Sequence, residues 1–121
     1  MMKNKIVQLN YPDFDSFIRE NSVLIDFWAE WCHPCKAQHE MLKEISLQFD
    51  HLISFATVNV DDNKVIATKY GVSNLPSLLL FINGKEVRRF IGLQNKDFLI
   101  SQIDRYLNKK NHKYDSAHMG E

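Results

Sequence analysis

The stretch Val23-Leu24-Ile25-Asp26-Phe27-Trp28-Ala29-Glu30-Trp31-Cys32-His33-Pro34-Cys35-Lys36 decides the fold. Its first six residues are apolar except for Asp26. A short run of this kind suits a central parallel strand covered on both faces. From Pro34 to Phe49 the pattern turns helical, with Met41, Leu42, Ile45 and Phe49 recurring on one side. The Cys32-His33-Pro34-Cys35 segment therefore sits between a buried strand and a long helix.

Working outward, glycine and proline punctuate the rest of the chain. Asn10-Tyr11-Pro12-Asp13 predicts a helix start, followed by Phe14, Phe17 and Ile18 at helical spacing. Ile53 to Val60 alternates as a strand. Asp61 or Asp62 can cap a helix through Val65, Ile66 and Tyr70, which Gly71 stops. Pro76 to Ile82 predicts a strand, Asn83-Gly84 a two-residue hairpin turn, and Lys85 to Ile91 the return strand. Asn95 opens a last helix carrying Leu99, Ile103, Tyr106 and Leu107. The order is β-α-β-α-β-α-β-β-α. Alternation in the first half predicts parallel strands, and the hairpin an antiparallel last edge. Residues 1–108 read as one domain, and 109–121, without an apolar pattern, as a disordered C-terminal tail.

Composition narrows the function. Fifteen Lys and Arg balance fifteen Asp and Glu. With no basic surplus to neutralise phosphates, nucleic acid is not an expected partner. No apolar run reaches the length of a membrane helix. Lys3 and Lys5 precede no apolar stretch of the secretory kind, so a cytoplasmic location is expected.

The two cysteines, Cys32 and Cys35, decide more. A disulfide between them closes too small a loop to staple the fold. A closed zinc site needs four ligands, and there is no second cysteine pair. A lone C-x-x-C in a cytosolic chain points to catalysis. Cys32 falls at the first helical turn, where unpaired N–H groups and the helix dipole favour a thiolate. Cys35 lies one turn further on and is shielded. The pair suits reversible disulfide chemistry, with an exposed attacking sulfur and a resolving one.

On these residues the chain resembles the thioredoxin family. The likeness rests on Asp26-Phe27-Trp28-Ala29-Glu30-Trp31-Cys32, Pro34-Cys35-Lys36, Asn59 and Asp61, Lys69-Tyr70-Gly71-Val72, Leu75-Pro76, Leu78-Leu79-Leu80-Phe81, Asn83-Gly84 and Gly92. It implies an α/β thioredoxin fold, a central mixed five-stranded sheet flanked by four helices. It also implies roles by position. Cys32 would be the nucleophile that forms a mixed disulfide with a protein substrate, and Cys35 would resolve it. Asp26 would lie under Cys35 and take its proton. Pro76 would be a cis proline packed against the disulfide. Trp31, His33, Pro34, Leu75, Pro76, Ile91 and Gly92 would bind the substrate chain. Disulfide-containing proteins would be the substrates, with an NADPH-dependent thioredoxin reductase as electron donor. No cofactor or metal is implied, and a monomer is expected.

Plainer readings stand beside these. The plainer alternative for Asp26 is a solvated strand-end carboxylate, but an Asp inside Val-Leu-Ile-x-Phe-Trp is costly to bury without purpose, which favours the functional reading. Pro76 reads as an ordinary trans strand opener, Trp28 as core support, His39 as a partly buried packing residue, and His51 as a favourable charge at a helix C-terminus. Cys32, Cys35, His33 and His39 as a metal site are disfavoured, because the family's proline fills that space.

Five positions depart from the family pattern. His33 stands where glycine is usual, and Glu40 where a proline often kinks the second helix. Thr57 stands where a lysine often neighbours the buried carboxylate. Asn74 and Ser77 flank Leu75-Pro76. The leading expectation is a protein-disulfide reductase. The alternatives are a dedicated redox partner of one enzyme or pathway, or a thioredoxin-fold binding subunit that holds a partner on the apolar rim without turnover.

Overall fold

Five strands and four helices follow in the expected order: β1 (Ile6–Gln8), α1 (Tyr11–Glu20), β2 (Val23–Trp28), α2 (His33–Gln48), β3 (Ser54–Asn59), α3 (Lys64–Lys69), β4 (Ser77–Ile82), β5 (Lys85–Ile91) and α4 (Lys96–Asn111). The structure is a computed structural model describing residues 6–49 and 51–111. The boundary at 108 falls inside α4, and residues 112–121 of the expected tail lie outside the described residues.

The strands form one sheet in the order β1-β3-β2-β4-β5. β1, β3 and β2 are parallel, as the alternating pattern predicts. Antiparallel pairing is not confined to the last edge, however: β4 already runs antiparallel to β2 in the middle of the sheet. Helix length explains this. The six residues of β3 span about 20 Å. The six of α3 return only about 9 Å of that. The chain therefore re-enters the sheet from the end at which β3 left it, and β4 begins beside the end of β2.

Period-two alternation assigns the two faces. Val23, Ile25 and Phe27 pack with Phe14, Ile18 and Ile66 under α1 and α3. Leu24, Phe55, Leu78 and Leu80 pack with Leu42, Ile45, Leu99 and Ile103 under α2 and α4. Asp26 has the parity of Leu24, so it points to the α2 side. The same parity places Thr57, its register partner on β3, and Leu78, its partner on β4, on that side.

Local chemistry sets the ends. Asn83 and Gly84 both have positive φ, 55° and 81°, as the tight hairpin turn requires. Asn95 Oδ1 accepts the Phe98 N–H at 2.9 Å and caps α4. α2 runs unbroken through Glu40. The helix cap expected at Asp61 or Asp62 falls instead on Asn63. Asn59 Oδ1 accepts the Asp61 N–H, and turn bonds from Asp62 and Asn63 back to Asn59 and Val60 delay the helix. His51 occupies the turn after α2 at φ 72° and is not a last-turn helical residue.

Candidate active site

β2 ends at Trp28, and α2 begins at His33 with Cys32 as its N-cap. Two backbone bonds shape this entry: the Cys32 N–H donates to Ala29 O at 3.1 Å, and the Cys35 N–H to Cys32 O at 3.2 Å. Cys32 thus sits at the positive end of the α2 dipole, and Cys35 lies one turn in. The two sulfurs are joined in a disulfide, with Cα atoms 5.4 Å apart.

Both cysteines are covered in this disulfide form. Cys32 is 4% exposed and Cys35 2%. The expected exposed attacking sulfur is therefore not open here. Ala29 packs with the pair, and Trp28, Val60 and Leu75 close around them. Trp28 is half-buried support, as the plainer reading has it.

The Leu75–Pro76 peptide bond is cis and Pro76 is buried. Ser77 Oγ donates to Asn74 O at 2.6 Å, which tightens the turn before β4. The Gly92 N–H donates to Pro76 O at 2.8 Å, so the end of β5 is tied to the proline segment. Gly92 has φ 87°, a conformation suited to glycine. Around this centre Trp31 is 70% exposed and Ile91 52%, while His33 and Pro34 are exposed on the first turn of α2. The structure thus brings Cys32, Cys35 and Leu75 into contact, ties Pro76 to Gly92, and leaves Trp31, His33, Pro34 and Ile91 open on the surface.

Asp26 is fully buried, and neither carboxyl oxygen has a hydrogen-bond partner among the described residues. Burial pushes its carboxyl above the ordinary range, because desolvation penalises the charged form. His39 opposes this in part. Its Nδ1 lies 3.9 Å from Asp26 Oδ2, too far for a hydrogen bond but within ion-pair reach. The carboxylate in turn raises the imidazole's pKa. An open groove of about 880 Å³ runs beside α2, lined among others by Cys35, Lys36, His39, Lys43 and Thr57.

Some of this lay outside the sequence reading. His39 was expected to be a packing residue, yet it faces the buried carboxyl. The signals were its spacing of four from Cys35, on the face α2 turns toward the sheet, and the parity of Asp26. Asp61 was expected only as a possible helix cap, yet its carboxylate holds Trp31: the indole Nε1 donates to Asp61 Oδ2 at 2.9 Å. Gln38 is buried on α2, and its Oε1 accepts the Gln94 N–H at 3.0 Å. Gln94 Nε2 donates to the carbonyls of Ile91 and Gly92, so α2 steadies the end of β5.

With this geometry established, comparisons with known proteins point one way. The thioredoxin family model matches residues 5–105. A thioredoxin of Chlamydia caviae is 45% identical over 94 residues, 78% of this chain and 91% of that protein. A thioredoxin of Chlamydia pneumoniae is 40% identical over 98 residues, 81% of this chain and 95% of that protein. Among solved structures, the N21Q mutant thioredoxin from Halobacterium salinarum superposes with a TM-score of 0.78 at 32% identity, covering 85% of this chain and 91% of that one.

Proposed function

The chain belongs to the thioredoxin family and is a thiol–disulfide oxidoreductase; from there we propose that it acts as a general cytoplasmic protein-disulfide reductase, a monomer recharged by an NADPH-dependent thioredoxin reductase. The observation that carries the reading is the Cys32–Cys35 disulfide at the N-terminus of α2, packed against Leu75.

In the reduced protein, Cys32 sits at the positive end of the α2 dipole, which favours its thiolate. That thiolate attacks a substrate disulfide. One substrate sulfur leaves with the bonding electrons and takes a proton, and the other remains joined to Cys32. Cys35 then gives its proton to the Asp26 carboxylate, and its thiolate attacks the Cys32 sulfur. The Cys32–Cys35 bond forms, the bond to the substrate breaks, and the second substrate sulfur leaves as a thiolate. Two electrons have passed to the substrate. The reductase returns two electrons and two protons to restore the dithiol.

Substrate docks on the apolar rim of Trp31, Pro34, Leu75, Ile91 and Gly92, beside His33, with Pro76 presenting backbone to the substrate chain. The exposure of Trp31 and Ile91 supports this, since large exposed apolar side chains grouped around a reactive centre mark contact surfaces.

The test is reduction of insulin with NADPH and a thioredoxin reductase. Sustained turnover is expected, and Cys35→Ser should accumulate a mixed disulfide through Cys32. Dithiol activity that the reductase does not recycle would instead indicate a dedicated redox partner. Absence of both would leave a binding subunit.

A further inference from the structure

His39 occupies the space between the buried carboxyl and the solvent. It lies one helical turn beyond Cys35 on α2, at the i, i+4 position. Its Nδ1 is 3.9 Å from Asp26 Oδ2; its side chain is 42% exposed, whereas that of Asp26 is 0%. One edge of the imidazole thus faces the carboxyl, and the ring lines the open groove. The register partners of Asp26 are Thr57 and Leu78, which carry no charge. The charged groups around His39 are Glu40 and Lys43 on its own helix, with Lys36 and Glu30 on the same groove. Those are two cations and two anions. β1 and β3 add only the neutral Ile6, Gln8 and Thr57 to the groove wall.

We infer that His39 is a positioning residue of the disulfide-resolving step, holding the charge of Asp26 and carrying its proton to the groove. The inference rests on the proposed role of Asp26 as acceptor of the Cys35 proton. Each resolution leaves one proton on a carboxyl with no solvent contact. That proton must leave before Asp26 can accept another. Neutral His39 takes it at Nδ1 after a side-chain movement of about 1 Å, which brings the pair into hydrogen-bond range. The imidazolium then gives a proton to water in the groove, and both groups are restored. No electron moves in this transfer. While protonated, the imidazolium also favours the carboxylate, because an opposite charge within about 4–6 Å stabilises the ionised form.

The experiment compares the wild-type protein, His39→Ala, His39→Gln and Asp26→Asn. Carboxyl NMR titration of Asp26 is followed in the disulfide form, where no thiol titrates. Release of substrate from a pre-formed mixed disulfide is timed from pH 5 to 9. Both His39 variants should move the Asp26 titration upward by about one pH unit. They should move the acid limb of the release profile with it, slowing release roughly three- to tenfold at neutral pH. In the Asp26→Asn background the His39 substitutions should add nothing. Unmoved titration and coincident release profiles in both His39 variants would overturn the inference while a slow Asp26→Asn protein left the Asp26 step standing. An Asp26→Asn protein that resolves at the wild-type rate would overturn the Asp26 step, and His39's part with it.

Discussion

The Trp31 indole N–H donates to the Asp61 carboxylate at 2.9 Å, joining the loop that enters α2 to the loop that leaves β3. The ring is 70% exposed, so this bond, rather than burial, orients it. Asp61 is itself set by the Asn59 side chain, which accepts its backbone N–H at 2.9 Å. A residue of the proposed docking rim is therefore positioned from the loop after the neighbouring parallel strand.

Asp61→Ala should release the ring with little effect on the fold. A typical hydrogen bond contributes about 0.5–1.5 kcal/mol net, and solvent screening holds this exposed one within that range despite the charged acceptor. KM for a protein disulfide should rise about two- to tenfold with kcat little changed, and Trp31 fluorescence anisotropy should fall. Unaltered KM would mean that substrate does not use the held orientation of Trp31.

Asp26 sets a pH dependence of stability. Burial raises its carboxyl pKa in the fold, while the unfolded chain keeps the ordinary value of 3.8. Below that value both states hold the proton and there is no differential cost. As pH rises above it, the unfolded chain releases the proton first, so stability falls until the folded pKa is passed and then levels off. His39, raised by the same carboxylate, contributes stability that is present below its ordinary 6.5 and lost as pH rises through its folded pKa. Both slopes have the same sign. Asp26→Asn should flatten the stability profile between pH 5 and 9. At pH 8 it should stabilise by on the order of 1–3 kcal/mol, with slower disulfide resolution. Urea denaturation across that pH range is the measurement, and a variant destabilised at pH 8 would contradict it.

Arg89 ties β5 to the end of α3. Its guanidinium donates to both Glu86 carboxylate oxygens at 2.6 and 2.8 Å, and to the carbonyls of Tyr70 and Gly71 at 2.6 and 3.1 Å. These carbonyls begin the segment that leads to Pro76. Arg89→Ala should cost about 1–2 kcal/mol in urea denaturation, discounted for partial exposure. Arg89→Lys should recover less than half of it, since an ammonium lacks the fork that reaches carboxylate and carbonyls together. Full recovery by lysine would show that charge alone matters.

His33 follows Cys32, the proposed nucleophile, as the first residue of α2 and is exposed. An imidazole that reaches the Cys32 sulfur favours the thiolate by donating a hydrogen bond or, when protonated, by its charge. That stabilises the dithiol and makes the protein a weaker reductant. His33→Gly should lower the reduction potential by about 10–40 mV. Equilibration with glutathione measures it. An unchanged or raised potential would move the role of His33 to partner docking.

Much of the architecture was legible in local order. Strand and helix periods, Gly71, Asn83-Gly84 and the Asn95 cap each act within a few residues, and each produced the element its chemistry favours. The Cys32-His33-Pro34-Cys35 site was legible for the same reason, since a strand running into a helix places the first cysteine at the helix N-terminus. The parity that buries Asp26 under α2 is also written in Val23 to Trp28. The antiparallel pairing of β4 with β2 was not, because it depends on how far a six-residue helix carries the chain back along the sheet. The approach of His39 to Asp26 and the bond from Trp31 to Asp61 were not either. Each joins residues on different elements, and its distance is set by how a helix or loop seats on the sheet. Periodicity names the face a side chain takes. Packing against the opposite layer chooses its partner on that face, and so decides which charge stands beside the buried carboxyl.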